Sequence, residues 1–599
     1  MMNRGVAISY GDVAPGAKEN FSASANETEF DSLKQFNQYN LNFPNYANPC
    51  EYCMVALDGT AVALPPNANN VNVGLWSKSL SRKDGTFQTP IVLTLQSVGQ
   101  YSSQGLTFTF DTYNGIYATR MKIEWFSVTD NGETAIESDE FTPNNSMYFC
   151  QKKVDYYNKI VITFYSINMP YNRLRLRTID YGYGTIFYGE ELRNTKLMQE
   201  INPISTDISI NTADFTLDSK SQDIEYSFQQ KQPLSIYYNG QLKATTFVKT
   251  SKRKAKFLWD IQSEDYIGLM NSIPYYGGMY NGDTAYSILE DIFKVAKVPY
   301  TINENLKNMP IYGYIPFTNC REALMHVAFA VQNVVDTSNR ADVAVFELLD
   351  DTPQTIPGKR IMQGQSFDDG VTVTGVEVAM HTYTPLSVVD EQGNANKENR
   401  LTVFWAEEDG TGKNIFVKFP EPLHDVYIEH GTFAKDKDGN YMVGTNYAVI
   451  EDATNEYCVV KGYKYEHKST VRRKNNDKVL ESEIENVITI ENATLVSKHN
   501  IQNVLDKCFD WLSNTKTANM KIVEGKHVQY GKPIKYGEKK YGTFKYGEKH
   551  PNIVTYDKVI NLGDIVQPET EYLKEFSGRS IKQSFNLNGN IVVKEVVLK

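Results

Sequence analysis

The sequence predicts a mainly β protein with one α+β insertion. Three observations predict it. Short runs rich in Val, Ile, Thr, Tyr and Phe recur along the chain, with Gly, Asn and Asp at the turns between them. The 599 residues include 39 Tyr and 29 Phe, a density that suits half-buried strand faces and large interfaces. One stretch, Asp283 to Val345, breaks the pattern and reads as helix, turn, helix, strand. In it DTAYSILEDIFKVAKV places Ile288, Leu289, Ile292, Phe293 and Ala296 on one helical face, with Asp283 or Thr284 as the cap. The extended piece VPYTINENLKNMPIYGYIP follows, and TNCREALMHVAFAVQNVV repeats the device. Thr318 or Asn319 caps it, Glu322 stands where a capping-box acid would, and Leu324, Val327, Ala328 and Val331 form the buried stripe. DTSN is a polar turn, and Ala344 to Phe346 belong to a β run. Two such helices cannot bury both stripes alone, so the unit is expected to pack on a sheet.

Taken in order, residues 1–50 are rich in Asn, Ser, Gly and Ala and read as an N-terminal arm, either disordered or pinned against a neighbour. Residues 51–174 read as an accessory β-sandwich or jelly roll. MVALDGTAVAL turns at Asp58-Gly59, and PIVLTLQSV, LTFTFDTY, MKIEWFSV, SMYFCQ and KIVITFYSI are strands of five to eight residues. Trp76, Trp125 and Tyr113 are candidates for a sugar platform, but a core or interface role outweighs it. In RLRLR, Arg173, Arg175 and Arg177 alternate with Leu174 and Leu176, which predicts one charged and one buried strand face. TDISINTADFTLD alternates strictly, with Ile208, Ile210 and Phe215 inward, and Asn239-Gly240 is a two-residue hairpin turn. The basic run KTSKRKAK reads as a solvent or lumen face rather than a phosphate patch. PYYGGMYNGDT reads as a Gly-rich loop without the Lys-Ser/Thr ending of a phosphate-binding loop, so nucleotide binding is rejected there.

Beyond the helical region, 281–365, a second β module spans 366–490. His381 lies alone in a strand, and His424, His430 and His467 lack metal-ligand spacing. Residues 491–599 begin with a third helix, ATLVSKHNIQNVLDKCFDWLSNT, and end in strands with an Asn588-Gly589 turn. Between them Tyr530-Gly531, Tyr536-Gly537, Tyr541-Gly542 and Tyr546-Gly547 recur among lysines. This 525–550 loop is too short for a solenoid and is expected to touch a partner, a protein before a nucleic acid or glycan.

The totals exclude several function classes. A net charge of −11 argues against a nucleic-acid-binding surface as the main business. Six cysteines are too few for a disulfide scaffold. Cys50 and Cys53 form a CxxC with no further ligands nearby, since Cys150 is distant and the first histidine is His326, so two reduced structural cysteines are expected. No signal peptide and no membrane-length apolar run is visible, so a chain made in the cytosol that stays soluble, or leaves by a route other than secretion, is expected. There is no GxSxG, HExxH or Cys-His signature, and the paired acids Asp368/Asp369 and Glu407/Glu408 read as surface carboxylates. No catalytic, cofactor-binding or metal-binding residue is therefore expected, and no cofactor.

Several stretches carry a resemblance. IDYGYGTIFYGEELRN, QEINPISTDISINTADFTLD, QPLSIYYNGQLKATTFVKTSKRKAKFLWDIQSEDYIGLM, YYGGMYNGDTAYSILEDIF, REALMHVAFAVQNVVDTSN and NLGDIVQPETEYLKEFSGRSIKQSFNLNG resemble the baseplate hub and tail-tip proteins of bacteriophages infecting low-GC Gram-positive hosts. The resemblance covers about residues 175 to 599; the front of the chain departs from it. It implies a first hub β domain at 175–280, a second at 366–490, both barrel-like, with intervening helices and a C-terminal hub region. It implies a homotrimer forming a ring that closes the tail tube of the virion; many relatives carry a C-terminal lysin or receptor-binding part, and the stop at Lys599, close to the end of the hub pattern, leads us to expect no fused hydrolase. The implied partners are further copies of the chain, distal tail or tail-tube proteins, the tape-measure protein, and receptor-binding or tail-fibre proteins. DNA would pass through the lumen during ejection without sequence-specific binding, and an acidic wall would suit such a conduit. The alternative reading is a receptor-binding or cell-wall polysaccharide-degrading tail protein; a bacterial surface adhesin is disfavoured by the missing signal peptide.

Overall fold

The computed structural model describes residues 6–14, 17–28, 36, 74–112, 114–129, 132–218, 233–238, 241–350, 352–406, 414–436, 439–451, 458–477, 479, 484–533, 549–556, 559–570, 576–587 and 592–599. The protein is mainly β, with several antiparallel sheets and few helices. It divides into two compact units, residues 9–186 and residues 1–8 with 187–599. Asp58-Gly59, Cys50, Cys53, Tyr113, Glu407, Glu408 and the Tyr-Gly pairs at 536, 541 and 546 lie outside the described residues.

In the 9–186 unit the strands expected as short pieces are longer than expected. Thr86–Phe110 and Met147–Ile167 pair antiparallel through several register shifts. Such shifts re-aim a strand without ending it. Gly105 makes one of them possible, because at φ +155 an added Cβ would lie 2.2 Å from the Cys150 carbonyl oxygen. The strand order is Leu75–Trp76, Arg175–Asp180, Thr86–Phe110, Met147–Ile167, Ala118–Thr129, Gly132–Phe141. Part of the expected arm joins this sheet: Ser22–Ala25 pairs with Thr86–Phe110, Ala25 opposite Leu93. Leu93, Leu106, Phe108, Ile123, Trp125, Ile162 and Phe164 are among the side chains that close over the core.

The charged face predicted for RLRLR is corrected here. Arg175 is 8% exposed, its Nη1 lies 2.8 Å from Asp111 Oδ2, and its guanidinium sits 4.2 Å from the centre of the Trp76 ring. A buried cation is tolerated only with a partner that offsets its desolvation, and Asp111 with Trp76 supplies one.

In the 187–599 unit the largest sheet runs Ser366–Asp368, Thr517–Pro533, Val592–Leu598, Gly578–Asn586, Leu192–Glu200, Thr212–Asp218, Leu258–Glu264, Gln241–Ala255, Pro233–Tyr238. Alternation sets its inner face: Ala213, Phe215 and Leu217 are buried while Asp214 points out. Only Phe215 of the three predicted inward residues belongs to this strand. Ile208 precedes it and is buried in the core of the helical region instead, with Ile210 packed against that core. Tyr238 stands opposite Gln241, and Asn586 opposite Val593, so both expected hairpins form, although their turn residues lie outside the described set. On the inner face Lys594 is 1% exposed, 3.0 Å from Glu524 Oε1, and hydrogen-bonded to the Ile560 carbonyl; burial pushes its ammonium down to about 8.

The helical insertion follows its local signals. Thr284 caps Ala285–Ala296 by accepting from the Ser287 amide, and Asn319 caps Cys320–Val331 by accepting from the Glu322 amide. Each helix ends on a left-handed residue, Lys297 and Gln332. Their stripes pack in one core with Val335, Val343 and Val345 of a three-stranded sheet. The expected Gly-rich loop is instead largely strand: Gly278–Thr284 pairs with Pro310–Ile315. In the second β module, Arg400–Ala406, Cys458–Asn475, Gly375–Pro385 and Val487–Ile490 lie side by side, and Leu423–Glu429 pairs with Cys458–Asn475. The third helix, Ile501–Ser513, packs Ile501, Val504, Leu505 and Cys508 against Val376 and Val378 of that sheet.

One carboxylate knots the large sheet to the helical insertion. Asp265, 1% exposed, accepts from the amides of Ile267 and Gly268 at 3.0 and 3.1 Å through Oδ1. Its Oδ2 accepts from the Thr337 hydroxyl at 2.5 Å and the Asn211 amide at 3.1 Å. Asn211 closes the knot by donating to Thr337 Oγ1 at 2.8 Å and accepting from the Glu200 amide. No cation joins the network, so burial dominates and pushes the carboxyl up to about 6.

Two predictions follow from these buried groups. Asp111→Ala removes the carboxylate that faces the buried Arg175 guanidinium, and should cost about 3–5 kcal/mol. The Asp111→Ala/Arg175→Met double variant should recover much of that loss in urea unfolding followed by tryptophan fluorescence. For Asp265 the folded carboxyl binds its proton more tightly than the unfolded one. Its contribution is therefore fullest below about pH 4 and is lost as pH rises through about 6. Asp265→Asn, which cannot ionise, should gain roughly 3 kcal/mol relative to the native chain between pH 4 and 7. A pH-independent difference in unfolding free energy would contradict this.

Candidate functional site

A shallow cleft of about 430 Å³ is lined by Asn271, Ser272, Pro274, Phe317, Thr318, Asn319, Glu322 and Lys418. The strand pairing of Pro274–Tyr275 with Thr318–Asn319 forms its floor. Its single carboxylate, Glu322, takes the Thr318 hydroxyl, and Asn319 is committed to capping the helix. Phe317 links the cleft to a group of rings. Tyr276 lies 4.3 Å from Tyr447, 5.7 Å from Phe416 and 5.8 Å from Phe317, all within about 31° of parallel. Tyr276 and Phe416 are 39% and 43% exposed, and the Lys418 ammonium sits 4.6 Å above Phe317. The arrangement offers contact area and a positive charge.

The acids whose protonation is most displaced do not meet there. Asp265 is sealed in its network, and Asp336, pushed up by burial, accepts from the Ser338 amide. Cys320 and Cys508 are buried thiols pushed up to about 11 and about 12, unlike an activated nucleophile. Among the described residues no group of His, Cys, Asp and Glu has the arrangement of a metal site, and no helix is long and apolar enough to cross a membrane.

The residues singled out from sequence are scattered. Trp76 and Trp125 are 3% and 1% exposed, which makes them core and not a sugar platform. The basic run is exposed: Lys249 pairs with Glu264, Lys254 with Asp260, and Arg253 lies 5.2 Å from the Trp259 ring. Asp368 accepts from the Gly370 amide in a turn, and the Asp369 carbonyl accepts from Thr515. Tyr530 and Gly531 lie in the strand Thr517–Pro533. His424 holds Asp425 at 2.7 Å.

His381 is not the lone strand histidine expected. The register Tyr383 to His467 brings its neighbour strand alongside. His381 Nδ1 then lies 3.0 Å from His467 Nε2, and His381 Nε2 lies 2.9 Å from the Glu491 carbonyl. The His467 ring stacks on Tyr383 at 4.6 Å, 6° from parallel. Sequence gave no signal for this pair, because the two residues stand 86 positions apart.

No protein-family model matches the sequence, and no curated protein matches it. Among solved structures, the 43 kDa tail protein of prophage MuSo2 from Shewanella oneidensis is similar over 69% of this chain and 95% of its own, with 9% identity and a TM-score of 0.38. The prophage tail protein gp18 from Listeria monocytogenes EGD-e covers 70% of this chain and 91% of its own, at 11% identity and a TM-score of 0.35. A family 32 CBM of NanJ from C. perfringens, solved with galactose, covers 29% of this chain and 98% of its own, at 15% identity and a TM-score of 0.18.

Proposed function

We propose that this chain is a structural hub or tip protein of a bacteriophage tail. It works as a homotrimeric ring that closes the tail tube and links it to the distal tail and the host-recognition apparatus. One observation carries the reading. Strands that fall in or overlap stretches resembling hub proteins lie edge to edge in a single sheet: Leu192–Glu200, Thr212–Asp218 and Leu258–Glu264 from the front of the region, and Gly578–Asn586 from its far end. A shared pattern that assembles into one continuous element is the footprint of a fold rather than of a local motif. The reading also places the work of the chain in its interfaces and not in bond-making. The exposed rings Tyr276 and Phe416 are the kind of surface that protein contacts are built on.

Light scattering on the purified chain at micromolar concentration should give the mass of three chains, and electron images should show a ring. A stable monomer would overturn the reading. A digestion assay on host cell wall should give no activity; release of sugar fragments would replace the hub with the polysaccharide-degrading alternative.

A further inference from the structure

Three histidines meet where the helical insertion rests on the second β module. His326 comes from the helix Cys320–Val331, His381 from Gly375–Pro385 and His467 from Cys458–Asn475. Thr494 ties them to the strand Pro310–Ile315. Its hydroxyl donates to the Tyr314 carbonyl, and its Oγ1 lies 3.4 Å from His326 Nδ1. Gly313 lets this segment approach, since an added Cβ there would lie 2.4 Å from the Thr494 carbonyl oxygen. The His381 amide donates to the Val496 carbonyl at 2.7 Å, and the Tyr314 amide to the Thr494 carbonyl at 3.3 Å.

The hydrogen bonds fix the protons. A carbonyl only accepts, so His381 Nε2 must carry hydrogen to reach Glu491. Neutral His381 then presents a bare Nδ1, and the hydrogen of the 3.0 Å contact belongs to His467 Nε2. By the same reasoning, the Thr494 hydroxyl spends its hydrogen on Tyr314, so His326 donates from Nδ1. A proton on His381 Nδ1 meets the Nε2 hydrogen of His467 head to head across 3.0 Å, so the contact survives only if His467 carries its hydrogen on Nδ1 instead. A proton on His326 places a charge in a half-buried site.

We propose that these three histidines form an acid-operated latch that holds the helical insertion on the second β module while His326 and His381 are neutral, and loosens it when they are protonated. Burial holds His326 down at about 4 and His381 below its ordinary value, and no carboxylate contributes to either shift. Both imidazoles therefore stabilise the junction above about pH 6.5, and the contribution drains away as pH falls toward 4.

The other titratable groups on the packed elements leave the histidines as the responsive set. Tyr314 and Tyr383 are pushed up to about 12 and stay neutral. Tyr312 stacks on His499, which is exposed. Glu466 pairs with Lys468, Glu322 takes Thr318, and Arg321 pairs with Asp207. The side chains of Glu491 and Lys498 are exposed. Further along the strands, Arg473 binds Glu377 and Glu485, and Lys474 binds Asp506 of the third helix. On that helix Lys507 pairs with Glu347, and Asp510 also acts on Lys474.

Hydrogen exchange of the full chain, read by mass spectrometry at pH 7.5, 6.0 and 4.5 and corrected for intrinsic rates, tests the latch. Peptides covering 311–315, 380–383 and 494–497 should lose protection tenfold or more on acidification, while peptides in 579–586 and 593–598 keep theirs. In the His326→Asn/His381→Gln double variant that local loss should vanish. The proposal is overturned if the native chain keeps protection at all three pH values, if protection falls equally everywhere, or if the double variant responds as the native chain does. Should the double variant be unprotected already at pH 7.5, the native profile decides alone: a localised loss upholds the latch, and a uniform or absent one overturns it.

Discussion

The pairing of Leu192–Glu200 with Gly578–Asn586 is the constraint on which the 187–599 unit depends. It joins the first strands of the unit to its last across almost the whole of the intervening chain. Closing so long a loop costs conformational entropy that local contacts cannot return. Here the return comes from burial on both flanks. Leu197 faces the core on one strand and Phe585 on the other, and Val592–Leu598 and Thr517–Pro533 extend the sheet behind them.

That arrangement explains why polar groups sit deep inside the unit. A closed sheet with an insertion docked on it leaves backbone amides at the seam with no strand to pair with. Asp265 and Asn211 satisfy the amides at Ile267, Gly268 and Glu200. Lys594 and Gln583 satisfy the Ile560 carbonyl. Such groups stabilise weakly in themselves and are costly to leave unpaired. Their effect is to allow one docking geometry, since any shift strands a charge or an amide in a dry interior.

What could be read from the sequence was what local chemistry decides. The two insertion helices were legible because each cap and stripe, and the acid at Glu322, lie within one short segment of chain. The hairpin at Asn239-Gly240 was legible for the same reason. What could not be read depends on register between distant segments. Arg175 looks like a solvent-facing strand residue until Asp111 is brought beside it from 64 positions away. Asp265 stands before YIGLM as any helix cap would, and nothing near it announces that Thr337 will fill its second oxygen. The ring group is similar: Tyr276 and Phe317 could be noted as aromatic, but their meeting with Phe416 and Tyr447 is a property of the fold.

The two buried titrating sites of the unit answer acid in opposite senses. Asp265 binds its proton more tightly in the folded chain, while His326 and His381 bind theirs less tightly. Over the same pH interval one seam of the helical insertion gains free energy and the other loses it. In a sum over the molecule the two terms carry opposite signs, so a single global stability understates the change in balance between the seams. A structure built this way can keep its large sheet intact and still shift where it opens first. That distinguishes a conformational response lodged in the seams from ordinary acid denaturation, in which the carboxylate pairs of the whole surface are lost together.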